Sequence, residues 1–358
     1  MTKKILYLVP HLENKGPTVQ LLYLIKYLNR KEFDPVIVTL FKEKEDTIDY
    51  KFKKLNIRVI SLNGKRSSIV NLRKKLQSVI IKEDPAIIHS NSVVTDIVYS
   101  PLVSNVSVVT TQHNYIYSDL LAAYGKLLGL LLCFFERKFL KKNITIVSCS
   151  KTVQNKYKGV GIKTKCIQNG IEINQWENNL ISKEKLREKL GLPSNAHIFL
   201  STGLLIKRKN PLLIIKAFNS AHIKNSYLVM LGDGSESSVC KKEARDNPHI
   251  MFTGKVSNVK SYLYASDTFI SVSNAEGLPY SVLEAECTGI KMILSDIPEH
   301  REATNSSDLI SFTPVSDKKA LTDKMITSAK NKKSFHYNMQ NFMAKTMSTK
   351  YQKIYSDM

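Results

Sequence analysis

The chain has 358 residues, 43% of them hydrophobic, and a formal net charge of +22 at pH 7. This composition excludes a disordered chain, and the length favours two domains of about 170 residues each over a single one. The longest uncharged apolar run, residues 127–135, is well short of the ~20 residues that span a bilayer, so the sequence predicts no transmembrane helix.

The cysteines and the N-terminal residues indicate the compartment. No two of the five cysteines have the C-x-x-C spacing, and an odd number without metal-site spacing is typical of reduced thiols. The apolar run 5–9 is too short for a signal peptide and is better explained as a buried first strand. We therefore expect a cytoplasmic protein, either free or peripheral on the inner face of the plasma membrane.

The excess of positive charge has two explanations. It can attract a polyanionic partner, such as an anionic membrane or a phosphorylated lipid, or it can reflect a Lys-rich composition without a functional cause. The basic clusters lack the interleaved aromatic side chains of a single-strand binder, and we expect no nucleic-acid partner.

In the first half of the chain, short apolar runs alternate with amphipathic stretches. The runs are rich in Val and Ile, as expected for parallel strands that are buried on both faces. The stretches between them have the i, i+3, i+4 apolar spacing of helices. The predicted strands are 5–9, 35–40, 59–62, 86–89, 106–111 and 144–149, and the predicted helices are 19–29, 69–82 and 120–140.

A polar stretch, 173–190, interrupts this pattern and is interpreted as an interdomain linker. It is followed by Gly191-Leu192-Pro193, a helix stop and a turn, after which the alternation restarts. The predicted strands are 198–203, 227–232, 250–253, 268–272 and 291–295, and the predicted helices are 211–221, 256–265, 280–288 and about 334–355.

This order predicts an α/β fold of two doubly wound parallel-sheet domains. We place the first domain at 1–172 and the second at 191–335. The helix within 336–358 is expected to pack back towards the first domain. Ligands of such sheets bind at the carboxyl ends of the strands.

Two glutamates eight positions apart, Glu276 and Glu284, are the strongest candidates for binding chemistry. Glu276 lies in a loop with Gly277, Leu278 and Pro279, and Glu284 lies in the helix that follows. Exposed N–H groups at a helix start favour an anionic ligand, and carboxylates accept hydrogen bonds from hydroxyls. The spacing alone also fits an ordinary helix start with acidic residues in its first turns.

The sequence on both sides of these glutamates makes the pattern specific. Segment 250–302, with Phe252-Thr253-Gly254-Lys255 before the glutamates and Ile293-Leu294-Ser295-Asp296 after them, resembles the donor-binding half of glycosyltransferase family 4. These enzymes are retaining GT-B glycosyltransferases, also called glycosyl transferases group 1. The resemblance covers nearly the whole chain and is clearest over 198–302. It implies two Rossmann-like domains facing across a cleft, with acceptor bound by the first and nucleotide-sugar by the second.

The resemblance also implies roles for the residues of the motif. Glu284 would hold the ribose hydroxyls of the nucleotide, and Glu276 would face the donor sugar. Gly277, Leu278 and Pro279 would form the loop around the sugar and the diphosphate.

A basic loop follows the predicted strand 198–203. Its three cations, Lys207, Arg208 and Lys209, can neutralise a diphosphate leaving group, although a solvated basic turn is the alternative. The family pattern is Gly-Arg-Leu, three variable residues and Lys. Lys209 matches that Lys, but Leu204 stands where the family has Arg, so Lys207 or Arg208 would have to replace one phosphate contact.

Four residues at strand ends of the first half are further candidates. Gly16, before Pro17 at a helix start, lets the backbone approach a phosphate. The resemblance places His113 close to the donor sugar. Asn91 lies at another strand end that faces the cleft. Asn169 lies in a turn that resembles the family's Asn-Gly-Ile/Val turn at the domain junction, and a hinge turn explains it at least as well as a ligand contact.

No D-x-D pair occurs in the chain, so we expect no metal clamp on the diphosphate and no cofactor. The turn 232–234 lacks the third glycine of a dinucleotide fingerprint and resembles a Gly-x-Gly turn of the family's donor domain.

Segment 120–142 has two interpretations that the sequence leaves open. Its leucines and phenylalanines beside basic residues fit a helix on an anionic membrane surface near a lipid-linked acceptor. They fit a core helix with a basic end equally well.

The resemblance to this family implies a retaining glycosyltransferase of the hexosyl type. Glu276, Lys209 and His113 are its predicted catalytic residues. The donor would be a nucleotide-diphosphate sugar, with UDP favoured, and the acceptor a lipid-linked or polysaccharide intermediate of a bacterial-type surface glycan such as capsule, O-antigen or exopolysaccharide. The alternatives are a GT-B nucleotide-sugar epimerase and a non-catalytic protein of this fold that binds membranes or polyanions.

Overall fold

The computed structural model describes residues 2–102, 106–142, 144–176, 181–245, 247–304, 309–330 and 342–358. It divides into two compact units, of which unit 1 is Met1–Ile171 with Asn341–Met358 and unit 2 is Glu172–Gln340. Each unit has one parallel sheet with helices packed on it. The predicted α/β class, with two Rossmann-like parallel-sheet domains, is confirmed.

Unit 1 is built on seven described strands. Its elements are β1 (Lys3–Val9), α1 (Gly16–Lys26), β2 (Phe33–Phe41), α2 (Asp49–Lys54), β3 (Arg58–Gly64), α3 (Ile69–Glu83), β4 (Ile87–Ser90), α4 (Val93–Tyr99), β5 (Ser107–Gln112), α5 (Ile116–Tyr124), α6 (Lys126–Leu140), β6 (Thr145–Ser148), α7 (Lys151–Gly159), β7 (Lys165–Cys166) and, from the end of the chain, α16 (Ala344–Ser356). The strand order is β3-β2-β1-β4-β5-β6-β7. The order reverses between β1 and β4, which is where ligands of doubly wound sheets bind.

Helix α16 belongs to unit 1 because two of its tyrosines are hydrogen bonded inside that unit. Tyr355 Oη lies 2.6 Å from Nδ1 of His89, and Tyr351 Oη lies 2.9 Å from Oγ1 of Thr111. Burial lowers the pKa of His89 to about 3, so the ring is neutral and its Nε2 bonds Thr111 at 2.8 Å. The predicted domain boundary at 335/336 lies outside the described residues.

The prediction of one continuous helix over 120–140 is wrong. Gly125 has φ 76° and ψ 177°, which a helix cannot accommodate, and it separates α5 from α6. The two helices then pack closely at Gly129, where an added Cβ would come within 2.8 Å of the carbonyl oxygen of Leu120. Apolar spacing did not reveal this break because both helices keep the same period.

Two buried carboxyl groups lie beneath the inner side of α6. Gln112 Nε2 donates to Asp96 at 3.1 Å and to Glu136 at 3.3 Å, and Thr110 donates to Asp96 at 2.8 Å. Burial and the neighbouring Asp96 raise the pKa of Glu136 well above its usual range. A raised pKa favours the protonated form of Glu136, and protonation reduces the repulsion between two acids in one buried site.

Unit 2 is built on six described strands. Its elements are α8 (Ile173–Trp176), α9 (Lys183–Leu190), β8 (His197–Thr202), a 3₁₀ turn (Lys207–Lys209), α10 (Pro211–Ala221), β9 (Ser226–Leu231), α11 (Ser237–Ala244), β10 (Ile250–Gly254), α12 (Val259–Ala265), β11 (Thr268–Ser271), α13 (Tyr280–Cys287), β12 (Lys291–Ser295), α14 (Pro298–Ala303), β13 (Ile310–Thr313) and α15 (Lys318–Lys330). The strand order is β10-β9-β8-β11-β12-β13.

The loops after β8 and β9 touch through their backbones. At Gly232, φ is 121° and an added Cβ would lie 2.0 Å from the carbonyl oxygen of Gly203. Gly203 N in turn donates to Leu231 O at 3.0 Å. The Gly-x-Gly turn is therefore required for this close approach, which holds the start of the basic loop against the sheet.

Segment 173–190, interpreted from its polarity as a linker, belongs to unit 2 in the structure and forms α8 and α9. Arg187 of α9 is buried and donates through Nη2 to Asp267 at 2.7 Å, through Nη1 to Ser194 O at 2.6 Å and through Nε to Ala265 O at 2.9 Å. Lys183 pairs with the other oxygen of Asp267 at 2.5 Å. A buried charged side chain thus attaches α9 to the rest of unit 2.

Removing Asp267 is expected to destabilise unit 2. Burial alone would raise the pKa of Asp267, but the N–H of Ile198 and the cation Lys183 lower it, so the carboxylate is charged in the folded protein. Asp267→Ala leaves the buried Arg187 without its counter-ion and should cost about 3 kcal/mol in the free energy of unfolding. Urea unfolding monitored by the fluorescence of Trp176, the chain's single tryptophan, measures this loss.

The matched control is Asp296→Ala, which removes an exposed pair with Arg301 and should leave unfolding nearly unchanged. Because the folded pKa of Asp267 is lowered, its contribution is full above the unfolded value of ~3.9 and is lost as the pH falls below it. Equal losses for the two variants would contradict this assignment.

Candidate active site

The loops after β8 and β11 meet because these two strands are neighbours in the parallel sheet of unit 2. The first loop contains the 3₁₀ turn Lys207–Lys209, and the second contains Glu276. Asn274 N in the second loop donates to Arg208 O in the first at 2.8 Å, which joins the two backbones. Side chains from both loops therefore occupy the carboxyl edge of the sheet.

Glu276 is buried at this edge and accepts hydrogen bonds from three side chains. Oε1 accepts from Ser273 Oγ at 2.7 Å and pairs with Lys209 Nζ at 2.5 Å. Oε2 accepts from Arg208 Nη1 at 2.8 Å, and the same nitrogen donates to Ala275 O at 2.7 Å. Three predicted site residues, Glu276, Lys209 and Arg208, are thus in direct contact.

The charge state of Glu276 follows from these contacts. Burial alone would raise its pKa, but Lys209 and Arg208 outweigh burial and hold the pKa well below its usual range. The carboxylate is therefore ionised at any working pH. It can accept hydrogen bonds from hydroxyl groups, but it has no proton to give as a general acid.

The conformation of the basic loop explains which of its cations reach Glu276. Arg208 and Lys209 are partly buried, whereas Lys207 is exposed. Asn210 follows in the left-handed region, with φ 54° and ψ 45°, and Pro211 begins α10. The loop thus ends at a helix N-terminus whose first N–H groups lack partners within the helix. Among the described residues, Lys207 forms no ion pair with Glu276.

Ser295 of β12 and His300 of α14, which the sequence analysis missed, hold the backbone of the loop that contains Glu276. Ser295 Oγ donates to Ser273 O at 2.6 Å, and His300 Nδ1 lies 3.1 Å from the same hydroxyl. Burial lowers the pKa of His300 to about 4, so the ring is neutral. The Ser273–Glu276 spacing of three residues was a usable signal for the hydrogen bond, but nothing in the sequence indicated His300.

The other predicted residues of unit 2 lie around Glu276 in the chain. Gly277, Leu278 and Pro279 are buried and lead into α13, and Pro279 directly precedes the helix. Glu284 is on α13 and is partly exposed. Leu204, where the family pattern has Arg, is also partly exposed, so Arg208 is the arginine that this loop brings to Glu276.

Unit 1 brings a second set of predicted residues together at the carboxyl edge of its sheet. Asn91, after β4, donates through Nδ2 to Pro17 O at 3.3 Å. Its Oδ1 lies 2.9 Å from Nε2 of His113, which follows β5. Gly16 is the first residue of α1, next to Pro17. Asn169 follows β7, two strands beyond β5 in the sheet, and its N donates to Cys149 O, after β6, at 3.1 Å.

A buried glutamate that the sequence analysis did not consider lies in the loop between β1 and α1. Glu13 pairs with Lys15 and Lys44. Burial alone would raise its pKa, but the two cations lower it to about 2. Two lysines near Gly16 are thereby neutralised, which reduces the positive charge that this loop offers to a phosphate.

The described part of the chain has neither a metal-binding cluster nor a membrane-spanning helix. None of its groups of three or more His, Cys, Asp or Glu side chains has a geometry that could hold a metal ion. None of its helices is both long enough and apolar enough to cross a bilayer.

The chain is similar to glycosyltransferases in both sequence and structure. Residues 15–175 match the family model of glycosyltransferase family 4, and residues 182–344 match that of glycosyl transferases group 1. The O-antigen biosynthesis glycosyltransferase WclY of Escherichia coli is 26% identical over 99% of this chain and 98% of its own. A galactosyltransferase of Escherichia coli, named as UDP-Gal:alpha-D-GlcNAc-diphosphoundecaprenol alpha-1,3-galactosyltransferase, is 29% identical over 71% of this chain and 67% of its own.

Among solved structures, Anabaena HepE in complex with UDP and glucose superposes with a TM-score of 0.84 at 16% identity, covering 99% of this chain and 100% of HepE. The two family models together span most of the two units, and the superposition shows the GT-B fold. The chain therefore belongs to glycosyltransferase family 4, the glycosyl transferases of group 1, and is a glycosyltransferase of GT-B fold.

Proposed function

We propose that this enzyme transfers a hexose, with retention of configuration, from a nucleotide-diphosphate sugar to a lipid-linked or polysaccharide acceptor of a bacterial-type surface glycan. A UDP-sugar is the favoured donor. The observation that carries the proposal is the contact of Glu276 with Lys209 and Arg208 at the carboxyl edge of a doubly wound sheet.

This contact is suited to a diphosphate with an attached sugar. The two cations share one carboxylate, so the group has a net positive charge and can still attract an anion. The adjoining N-terminus of α10 adds partial positive charge from its N–H groups. The ionised Glu276 supplies acceptors for sugar hydroxyls, so cations and carboxylate together offer both kinds of contact that a sugar diphosphate needs.

The named relatives support the same class of substrates. One is named for O-antigen biosynthesis and another for transfer from UDP-Gal to a diphosphoundecaprenol-linked sugar. HepE has been solved with UDP and with UDP-glucose. At these identities the names favour a class of donor and acceptor and leave the individual sugar open.

Other residues take roles within this proposal. Glu284 on α13 would hold the ribose hydroxyls, and the loop Gly277, Leu278 and Pro279 would surround the sugar and the diphosphate. Lys207 is exposed and would contribute only long-range charge. In unit 1, the acceptor-binding half, Gly16, Asn91, Asn169 and His113 would contact substrates at the carboxyl edge.

Lys209 and Lys207 of the basic loop are expected to differ in donor binding. Lys209→Ala removes a charge-assisted contact to the diphosphate and should raise the Kd for UDP about 10- to 100-fold. Glu284→Ala should weaken the binding of UDP because the proposed contact with the ribose hydroxyls is lost. Lys207→Ala changes the net charge equally but removes no direct contact, so its Kd should change less than about threefold. Isothermal titration calorimetry with UDP measures all three.

A Lys207→Ala effect as large as that of Lys209→Ala would mean that the loop acts only as diffuse charge. If UDP, GDP, ADP and CMP all failed to bind the wild-type chain, the donor site itself would be ruled out.

We also propose that no metal ion takes part in donor binding, since two cationic side chains already face Glu276. UDP affinity and sugar transfer should then be the same in EDTA as in Mg²⁺ or Mn²⁺. Restoration of activity by a divalent ion after EDTA treatment would contradict this proposal.

The outward face of α6 is proposed as a contact with an anionic membrane. Its exposed apolar side chains are Leu127, Leu128, Leu130, Leu131, Phe134 and Phe135. Leu127 alone is 88% exposed. The same helix and the two residues after it carry the exposed cations Lys126, Lys138, Lys141 and Lys142. Glu136 is the only acid between 124 and 142, and it is buried.

An apolar face bordered by cations and free of exposed acids matches a surface of anionic lipid headgroups over acyl chains. Such a contact would bring the enzyme to a lipid-linked acceptor. A second copy of the chain is the competing occupant of this face, but it would place like charges against each other.

Vesicle flotation tests the membrane contact. Binding to vesicles that contain phosphatidylglycerol should exceed binding to pure phosphatidylcholine vesicles about tenfold, and should weaken in high salt. The triple variant Leu127→Ser, Leu131→Ser, Phe134→Ser should lose most of this binding and leave UDP affinity unchanged. The matched control, Val70→Ser with Ile81→Ser, replaces exposed apolar residues of α3 and should bind normally. Dimer dissociation in the triple variant without any vesicle binding in the wild type would overturn the proposal.

A further inference from the structure

Asn91 is buried and makes one hydrogen bond on each side of its amide. Its Nδ2 lies 3.3 Å from Pro17 O, and its Oδ1 lies 2.9 Å from Nε2 of His113. The carbonyl of Pro17 can only accept a hydrogen bond, so the amide nitrogen of Asn91 must face it. The orientation of the Asn91 amide is therefore determined by its backbone partner.

This orientation determines where the proton of His113 lies. Oδ1 of Asn91 has no hydrogen and can only accept, so Nε2 of His113 must donate. Burial lowers the pKa of His113 to about 4, and the ring is neutral at neutral pH. A neutral imidazole has one proton, so Nδ1 is the unprotonated nitrogen.

The surroundings of His113 leave Nδ1 available. Cys149 Sγ donates to the carbonyl oxygen of His113 at 3.2 Å, which fixes its backbone from β6. The nearby titratable ring is His89 of β4, which is also neutral. Among the described residues His113 has no second side-chain hydrogen bond, and it is partly exposed.

We propose that Asn91 is a positioning residue that holds His113 in the neutral Nε2–H form, so that Nδ1 accepts a hydrogen bond from a substrate hydroxyl. The identity of the substrate rests on the proposed function, whereas the protonation pattern does not. An unprotonated Nδ1 cannot bond a phosphate oxygen, because both are acceptors. His113 therefore selects a hydroxyl of a sugar or an acceptor and does not bind the diphosphate.

The protonation pattern can be measured directly without substrate. A long-range ¹H–¹⁵N spectrum of the ¹⁵N-histidine-labelled full chain, with His113→Gln used to assign the signals, should show a protonated Nε2 and an unprotonated Nδ1 from pH 6 to pH 8. A protonated Nδ1 in the wild type would overturn the proposal whatever the enzyme's activity.

Two variants of Asn91 separate positioning from simple packing. Asn91→Asp places a carboxylate beside Nε2, which favours imidazolium and should increase the proton affinity of His113 about tenfold or more. The acid side of the kcat/KM profile should move to higher pH by the same factor. Asn91→Leu keeps the volume but removes both hydrogen bonds, and should lower kcat/KM without that movement. An unchanged His113 titration in a folded Asn91→Asp would refute the role of Asn91.

Two variants of His113 test which nitrogen meets the substrate. His113→Asn keeps an acceptor near the place of Nδ1, whereas His113→Gln places its terminal amide near Nε2. The first should retain more kcat/KM than the second, with UDP affinity unchanged in both. The reverse order would show that Nδ1 is not the contact. If the wild type did not bind UDP, that result would count against the proposed function. The protonation of His113 would still be tested by the ¹H–¹⁵N spectrum.

Discussion

The ionised, buried carboxylate of Glu276 is the interaction on which the site in unit 2 depends. Burial opposes its charge, and Lys209, Arg208 and the hydroxyl of Ser273 together outweigh that cost. Each cation comes from the loop after β8, and the carboxylate comes from the loop after β11. The arrangement is therefore possible because β8 and β11 are adjacent and parallel, which places both loops at one edge.

Much of this could be predicted from the sequence, because the strands are apolar runs that must be buried on both faces. Glu276, Glu284 and Lys209 were identified through the resemblance of their segments to glycosyltransferase family 4, since the spacing alone also fits an ordinary helix start. The sequence did not distinguish Lys207 from Arg208, since a basic loop has no periodicity that tells which side chain points inward. That choice depends on the left-handed turn at Asn210 and on the backbone bond from Asn274.

The features that were missed are those in which polar groups replace apolar contacts. Segment 173–190 was interpreted as a linker because its residues, including those of α9, are polar or charged. Arg187 of α9 is nevertheless buried, and its guanidinium donates hydrogen bonds to backbone carbonyl oxygens and to Asp267. His89 and the tyrosines of α16 are separated by more than 200 positions in the sequence, so no local pattern could pair them. Buried polar networks are specified by partners far along the chain, which a single sequence does not reveal.

The candidate sites of the two units differ in charge. In unit 2 the site is charged, with cations held by an ionised acid. In unit 1 the site around His113 is neutral, because burial removes the charge of the ring and Asn91 brings none. A charged site suits a diphosphate, whereas a neutral one with a single free acceptor suits a hydroxyl. The chemistry of each edge thus matches one part of a sugar-transfer reaction.

Helix α6 exposes most of its large apolar side chains. Its buried residues are Gly129, Cys133, Glu136, Phe139 and Leu140, whereas six of its leucines and phenylalanines, all between 127 and 135, are exposed. A helix on a globular core normally turns its apolar stripe inward, because exposing that stripe to water is unfavourable. The buried contacts of α6 combine the apolar Phe139 and Leu140 with hydrogen bonds from Gln112 to Glu136 and Asp96, so the helix is held in this orientation. The proposed contact with an anionic membrane rests on this outward apolar face and on the cations that border it.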